Sequence, residues 1–127
     1  MNPHQLDAWV AGYVRAWETN DPADIGRLFA EDSVYFTAPY RKPLRGRERI
    51  VADWIERQDE PGTWTFTYEI HAVCDDLGFV QGRTEYAGTA DDPATTFSNL
   101  WEIRLDADGR CTSFTEWWME QGGPDQE

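Results

Sequence analysis

The stretch 95-TTFSNLWEIRLDADGRCTSFTEWWMEQ-121 reads as two long strands joined by the turn 106-DADG-109. In its first half Phe97, Asn99, Trp101 and Ile103 recur at every second position. That is the pattern of a strand with one face against a core. In its second half Phe114, Glu116 and Trp118 fall on one face, while the neighbours Trp117 and Trp118 point to opposite faces. Two more strand-like stretches come before it, at approximately 63–74 and 78–89, set off by Asp75-Asp76-Leu77-Gly78 and Ala90-Asp91-Asp92-Pro93. Long strands in succession with short turns predict an antiparallel meander.

Towards the N-terminus the period changes. Leu6, Trp9, Val10, Tyr13, Val14 and Trp17 make one apolar helix face, begun by Asn2-Pro3 with Gln5 in capping position. Asn20-Asp21-Pro22 ends that helix and starts another, with Asp21 as N-cap, Pro22 at N1, and Ile25, Leu28 and Phe29 inward. The stretch 33-SVYFTAP-39 reads as a strand. The loop 40-YRKPLRG-46 leads into a third helix, 47-RERIVADWIERQ-58, closed by Pro61-Gly62. The prediction is one α+β domain over 1–127, with three helices packed in the concavity of a curved, mainly antiparallel sheet, as a cone-shaped α+β barrel. Residues 122–127 read as a frayed tail.

Composition narrows the function. The net charge of −13 argues against nucleic acid or an anionic membrane as partner. No apolar run approaches ~18 residues, and no signal peptide is legible. Cys74 and Cys111 make no disulfide framework and read as reduced packing residues, which suits a cytoplasmic protein. With His4 and His71 as its only histidines, the chain argues against a histidine-rich metal site and leaves carboxylate ligation open. No metal or organic cofactor is called for. Seven tryptophans in 127 residues supply enough aromatic surface to wall a ligand cavity.

The chemistry hangs on three charged residues in strand-like segments. Alternation along 78-GFVQGRTEYAGT-89 groups Phe79, Gln81, Arg83, Glu85 and Ala87 on one face. In one placement Arg83 and Glu85 face inward with Glu116, among aromatics. One cation then serves two acids, so one acid keeps its proton beside an ionised partner. In the other placement Arg83 and Glu85 are a solvated surface pair worth under ~1 kcal/mol, and Glu116 sits on an outer sheet face beside an interfacial Trp117. Asn99 is a polar amide on an apolar face, and Trp54, Trp101 and Trp118 read as cavity wall. His71 alternates with Glu69 and Val73 and reads as solvated or at a dimer interface.

The stretches 20-NDPADIGRLFAEDSVYFTAP-39, 44-LRGRERI-50 and 101-WEIRLDADGRCTSFTEWWM-119, in that order and spacing, resemble the SnoaL-like branch of the nuclear transport factor 2-like superfamily. The resemblance covers nearly the whole chain. It implies a conical α+β barrel that is dimeric through its outer sheet face, and it fixes no activity, because this fold hosts enzymes and binding modules alike. The chain is also similar in part to ketosteroid isomerase, whose oxyanion tyrosine would fall on Tyr13. That family's base would fall on Ala38 and its protonated aspartate near Trp101, so one of three roles survives. Similarity to limonene-epoxide hydrolase is closer and implies Arg83, Glu85 and Glu116 as its arginine and two acids, with Tyr35 and Thr37 holding the water. Both acids are glutamates here, which displaces each carboxylate by over ~1 Å. The expected ligand is a small, largely apolar, oxygenated molecule. The expected function is cofactor-independent acid–base chemistry (epoxide hydrolase-, cyclase- or isomerase-like), with a non-catalytic binding module or a dimeric assembly domain as the alternatives.

Overall fold

The computed structural model describes residues 1–122, so the expected tail at 122–127 lies outside the described residues except for Gly122. Helix α1, Pro3–Thr19, opens with a reciprocal cap: the Asn2 side chain accepts from the Gln5 N–H, and the Gln5 side chain accepts from the Asn2 N–H, each at 2.8 Å. Helix α2, Pro22–Gly26, is capped by Asp21 and is only one turn and a half long. Leu28 and Phe29 therefore do not belong to its inner face as expected. Phe29 begins strand β1, Phe29–Phe36, and both side chains are buried. The short strand β2, Leu44–Arg45, interrupts what reads as a loop, and helix α3 spans Arg47–Glu56.

Four long strands follow: β3, Trp64–Cys74; β4, Leu77–Tyr86; β5, Thr95–Leu105; and β6, Cys111–Glu120. They form the predicted meander inside a six-stranded sheet ordered β2-β1-β6-β5-β4-β3. Every pairing is antiparallel except β1 with β6. The parallel pair is possible because the whole meander lies between β1 and β6 in the chain. Curvature of the sheet around the helices gives the conical α+β arrangement. Leu6, Val10, Ile25, Phe29, Ile103 and Phe114 are fully or almost fully buried between the two layers. No helix among the described residues is long and apolar enough to cross a membrane.

One strand carries the correction that matters for function. The inner face of β4 is Gly78, Val80, Gly82 and Thr84, all buried. Its outer face holds Gln81, Arg83 and Glu85, all exposed. A Cβ on Gly82 would come within 2.4 Å of the Phe66 ring, and one on Gly78 within 2.5 Å of Leu6. The glycines leave room for the Phe66 ring to lie over β4 and stack on Trp101, at 4.8 Å and 13°. The inner face thus looks polar and small in sequence, while the outer face carries the conspicuous Phe79. Alternation groups the right residues together, and close packing turns the set containing Arg83 and Glu85 outward.

Candidate functional site

A cavity of about 530 Å³ opens between the helices and the inner sheet face. That volume suits a small organic molecule. Tyr13 reaches it from α1, Tyr35 and Thr37 from β1 and the residue following it, and Trp54 from α3. Asn99 and Trp101 reach it from β5, and Glu116 and Trp118 from β6. Of the ten residues singled out by sequence, these eight converge.

Arg83 and Glu85 do not. Arg83 lies 3.0 Å from Glu85 as an ion pair whose side chains are 60% and 51% exposed. The pair belongs to the outer face and makes no contact with Glu116, so the three-residue cluster does not form. The surface-pair placement describes these residues. His71 is exposed too, with Nε2 4.0 Å from Glu69.

Glu116 forms no ion pair among the described residues. Its partner across the sheet is Trp101, whose indole N–H donates to Glu116 Oε2. Asn99 also hydrogen-bonds the carboxylate from the same strand. Asn99 is held in turn by Thr84, whose hydroxyl donates to Asn99 Oδ1 at 2.9 Å in a buried contact. With its oxygen occupied, the amide presents its NH₂ to Glu116. The residue keeps some surface open to the cavity, while the carboxyl itself is enclosed. Burial pushes the carboxyl pKa up to about 7, against the opposing pull of the Trp101 and Asn99 donors.

The Tyr13 and Tyr35 hydroxyls meet at 2.8 Å. Both rings stack on Phe114, at 5.5 and 4.5 Å, which brings the two phenols together. Burial, then the charge of Glu116, raises the Tyr13 pKa far above its usual value. Burial raises Tyr35 likewise, followed by the influence of Tyr13 and Glu116. Both phenols stay protonated, and their mutual bond uses only one of the two protons. The other is free to donate into the cavity.

Among the other residues that line the cavity, three bear on its chemistry. Thr84 and Tyr86 lie on the inner face of β4, and only recognition of Gly78 and Gly82 as close-contact positions would have pointed to them. Asp59 sits in the loop between α3 and β3 and accepts from Trp17 Nε1 at 3.0 Å and from the Tyr86 hydroxyl at 3.1 Å. No local pattern in the sequence marks it. Among the described residues, no group of three or more His, Cys, Asp or Glu side chains converges to hold a metal ion.

A curved sheet covered by three helices, with a cavity between the two layers, is the α+β cone of the nuclear transport factor 2-like superfamily. Within it the chain belongs to the SnoaL-like domain family, whose model matches residues 10–114. No curated protein sequence matches the chain.

Proposed function

We propose that this protein is a small-molecule acid–base enzyme in which Glu116 moves the proton and the Tyr13–Tyr35 pair stabilises the oxygen where charge develops. The supporting observation is the enclosed Glu116 carboxyl, raised to about 7 and held only by neutral donors. Near neutral pH such a group divides its time between base and acid, which is what general catalysis by one carboxyl requires. As carboxylate, Glu116 takes a proton from a carbon next to a carbonyl, leaving an enolate, or from a water whose oxygen bonds to an epoxide carbon as the C–O bond there breaks, leaving an alkoxide. The free phenol proton of the tyrosine pair then donates to the resulting enolate or alkoxide oxygen. As carboxylic acid, Glu116 returns the proton and the cycle closes. Thr37 and Asn99 orient the substrate oxygen and the base.

The ligand on this reading is a largely apolar, oxygenated molecule resting on aromatic walls. Glu85 and Arg83 have no part in the reaction, and the role of neutral donor passes to the tyrosines. The exposed outer face, with Leu100, Trp117 and Met119, is proposed as the surface for a homodimer.

Carboxyl carbon NMR tests the central residue without knowledge of the substrate. Glu116, assigned by loss of its signal in Glu116→Gln, is expected to titrate near 7. A midpoint near the ~4.3 of a free glutamate would remove the basis for catalysis. Turnover is then sought with aryl epoxides and β-keto esters. The Glu116→Gln variant, folded, is expected to lose at least ~100-fold of any activity found. A cavity that binds these compounds and returns them unchanged would make the protein a binding module instead.

A further inference from the structure

The acid–base reading leaves a second carboxylate in the cavity unused. Asp59 turns its Oδ2 to two neutral aromatic donors, the indole N–H of Trp17 and the hydroxyl of Tyr86. Among the described residues it forms no ion pair with any Lys, Arg or His. Asp53, another acid lining the cavity, differs, because Arg57 answers it at 3.2 Å.

The position of Asp59 is fixed from several sides. Asn20 Nδ2 donates to the Asp59 carbonyl oxygen at 2.9 Å, and Trp54 Nε1 donates to Asn20 Oδ1 at 3.2 Å. The end of α1, helix α3, the α3–β3 loop and β4 are thereby tied together at one residue, through its backbone carbonyl and its carboxylate. The rings of Trp17, Trp54 and Tyr86 line the cavity beside it. Asp59 and Glu116 both bear on Tyr13 and Tyr86, so the two acids act within one enclosure.

A half-buried carboxylate costs solvation energy that neutral donors offset only in part. Aromatic faces attract cations through their quadrupoles, most strongly where water is excluded. A net charge of −13 also draws cations towards the opening. Two cations that line the cavity oppose this: Arg57, which is paired with Asp53, and Arg41, which has no carboxylate partner among the described residues and a solvent-exposed side chain.

We propose that Asp59, with the rings of Trp17, Trp54 and Tyr86, forms a cation-recognition subsite, so that the ligand of this cavity carries a protonated amine. The amine is held at Asp59 while the remainder of the molecule extends to Glu116. The inference rests on the cavity being the small-molecule site and does not depend on Glu116 acting as a base.

Calorimetric binding to the wild-type protein tests it with three compounds of one shape: 1-naphthylmethylamine, 1-naphthylmethanol and 1-naphthoate. Measured at about pH 6, below the Glu116 midpoint, the comparison leaves most of Glu116 neutral. The amine is expected to bind at least about tenfold more tightly than the alcohol. In a folded Asp59→Asn variant that preference is expected to fall to about twofold or less. In the wild-type protein, NMR cross-peaks should join the aminomethyl protons to the Trp17 and Tyr86 rings, which keeps the test independent of the variant's folding. The proposal is overturned if the alcohol or the naphthoate binds as tightly as the amine, or if the amine shows no saturable binding. It is equally overturned if the preference survives Asp59→Asn, or if the amine lies against other residues. Failure here leaves the Glu116 titration untouched, so the two readings fall separately.

Discussion

Glu85 and Glu116 are the same side chain on strands separated only by β5, yet they lie in opposite chemical worlds. Glu85 faces water with Arg83 3.0 Å away, so its charge is solvated and answered. Glu116 faces the cavity with an indole, an amide and two phenols around it, and no cation. An exposed ion pair contributes little to stability. An enclosed carboxyl with neutral donors costs stability when ionised and holds its proton into the neutral range. Acid–base capacity here comes from the side of the sheet on which an acid stands.

The contrast can be broken most forcefully at Glu116. Its folded-state pKa lies above that of the unfolded chain, so the native state binds more protons between the two values. Stability contributed by the protonated form is therefore complete below about 4.5 and is lost as pH rises through about 7. A rise of that size corresponds to a ceiling of roughly 3 kcal/mol. Urea unfolding of Glu116→Gln should lose this pH dependence and leave the variant more stable than wild type at about pH 8. A wild-type stability that climbs with pH over this window would contradict the enclosure of Glu116.

The next effect in size belongs to the glycine that sets the face of β4. Gly82→Ala places a methyl group against the Phe66 ring, which is backed by Trp101. Overpacking of this kind should cost about 1 to 3 kcal/mol, read from the denaturation midpoint, with altered tryptophan fluorescence. An unchanged midpoint would mean that Phe66 does not lie across the strand.

Thr84→Val sharpens the comparison within the site. It keeps the shape and removes the hydroxyl that fixes Asn99, freeing the amide to turn its oxygen towards Glu116. An acceptor there favours the protonated acid, so the Glu116 midpoint should rise, with a stability loss of about 1 kcal/mol. A midpoint that stays in place would remove Thr84 from the chain of hydrogen bonds that orients the base. The smallest effect is expected on the other face. Arg83→Ala and Glu85→Gln should each change stability by under ~1 kcal/mol and leave the Glu116 titration where it was. A shift of that titration in either variant would reunite the outer pair with the pocket.

Much of the architecture is written in local patterns. The capped amphipathic α1, the Asp21-Pro22 start of α2 and the alternating β5 and β6 are local patterns with local physical causes. They suffice for the α+β architecture and for placing Glu116 on the same face as Phe114, which the structure buries. Assembly of the fold sets which face of β4 turns inward, brings the Glu116 face of β6 to the cavity, and closes Asp59, in an irregular loop, on Trp17 and Tyr86. Alternation states which residues travel together. The choice between faces depends on how closely a helix and a neighbouring ring must approach, as Leu6 does at Gly78 and Phe66 at Gly82. Such close approach is a property of three elements at once, and no single stretch of sequence carries it.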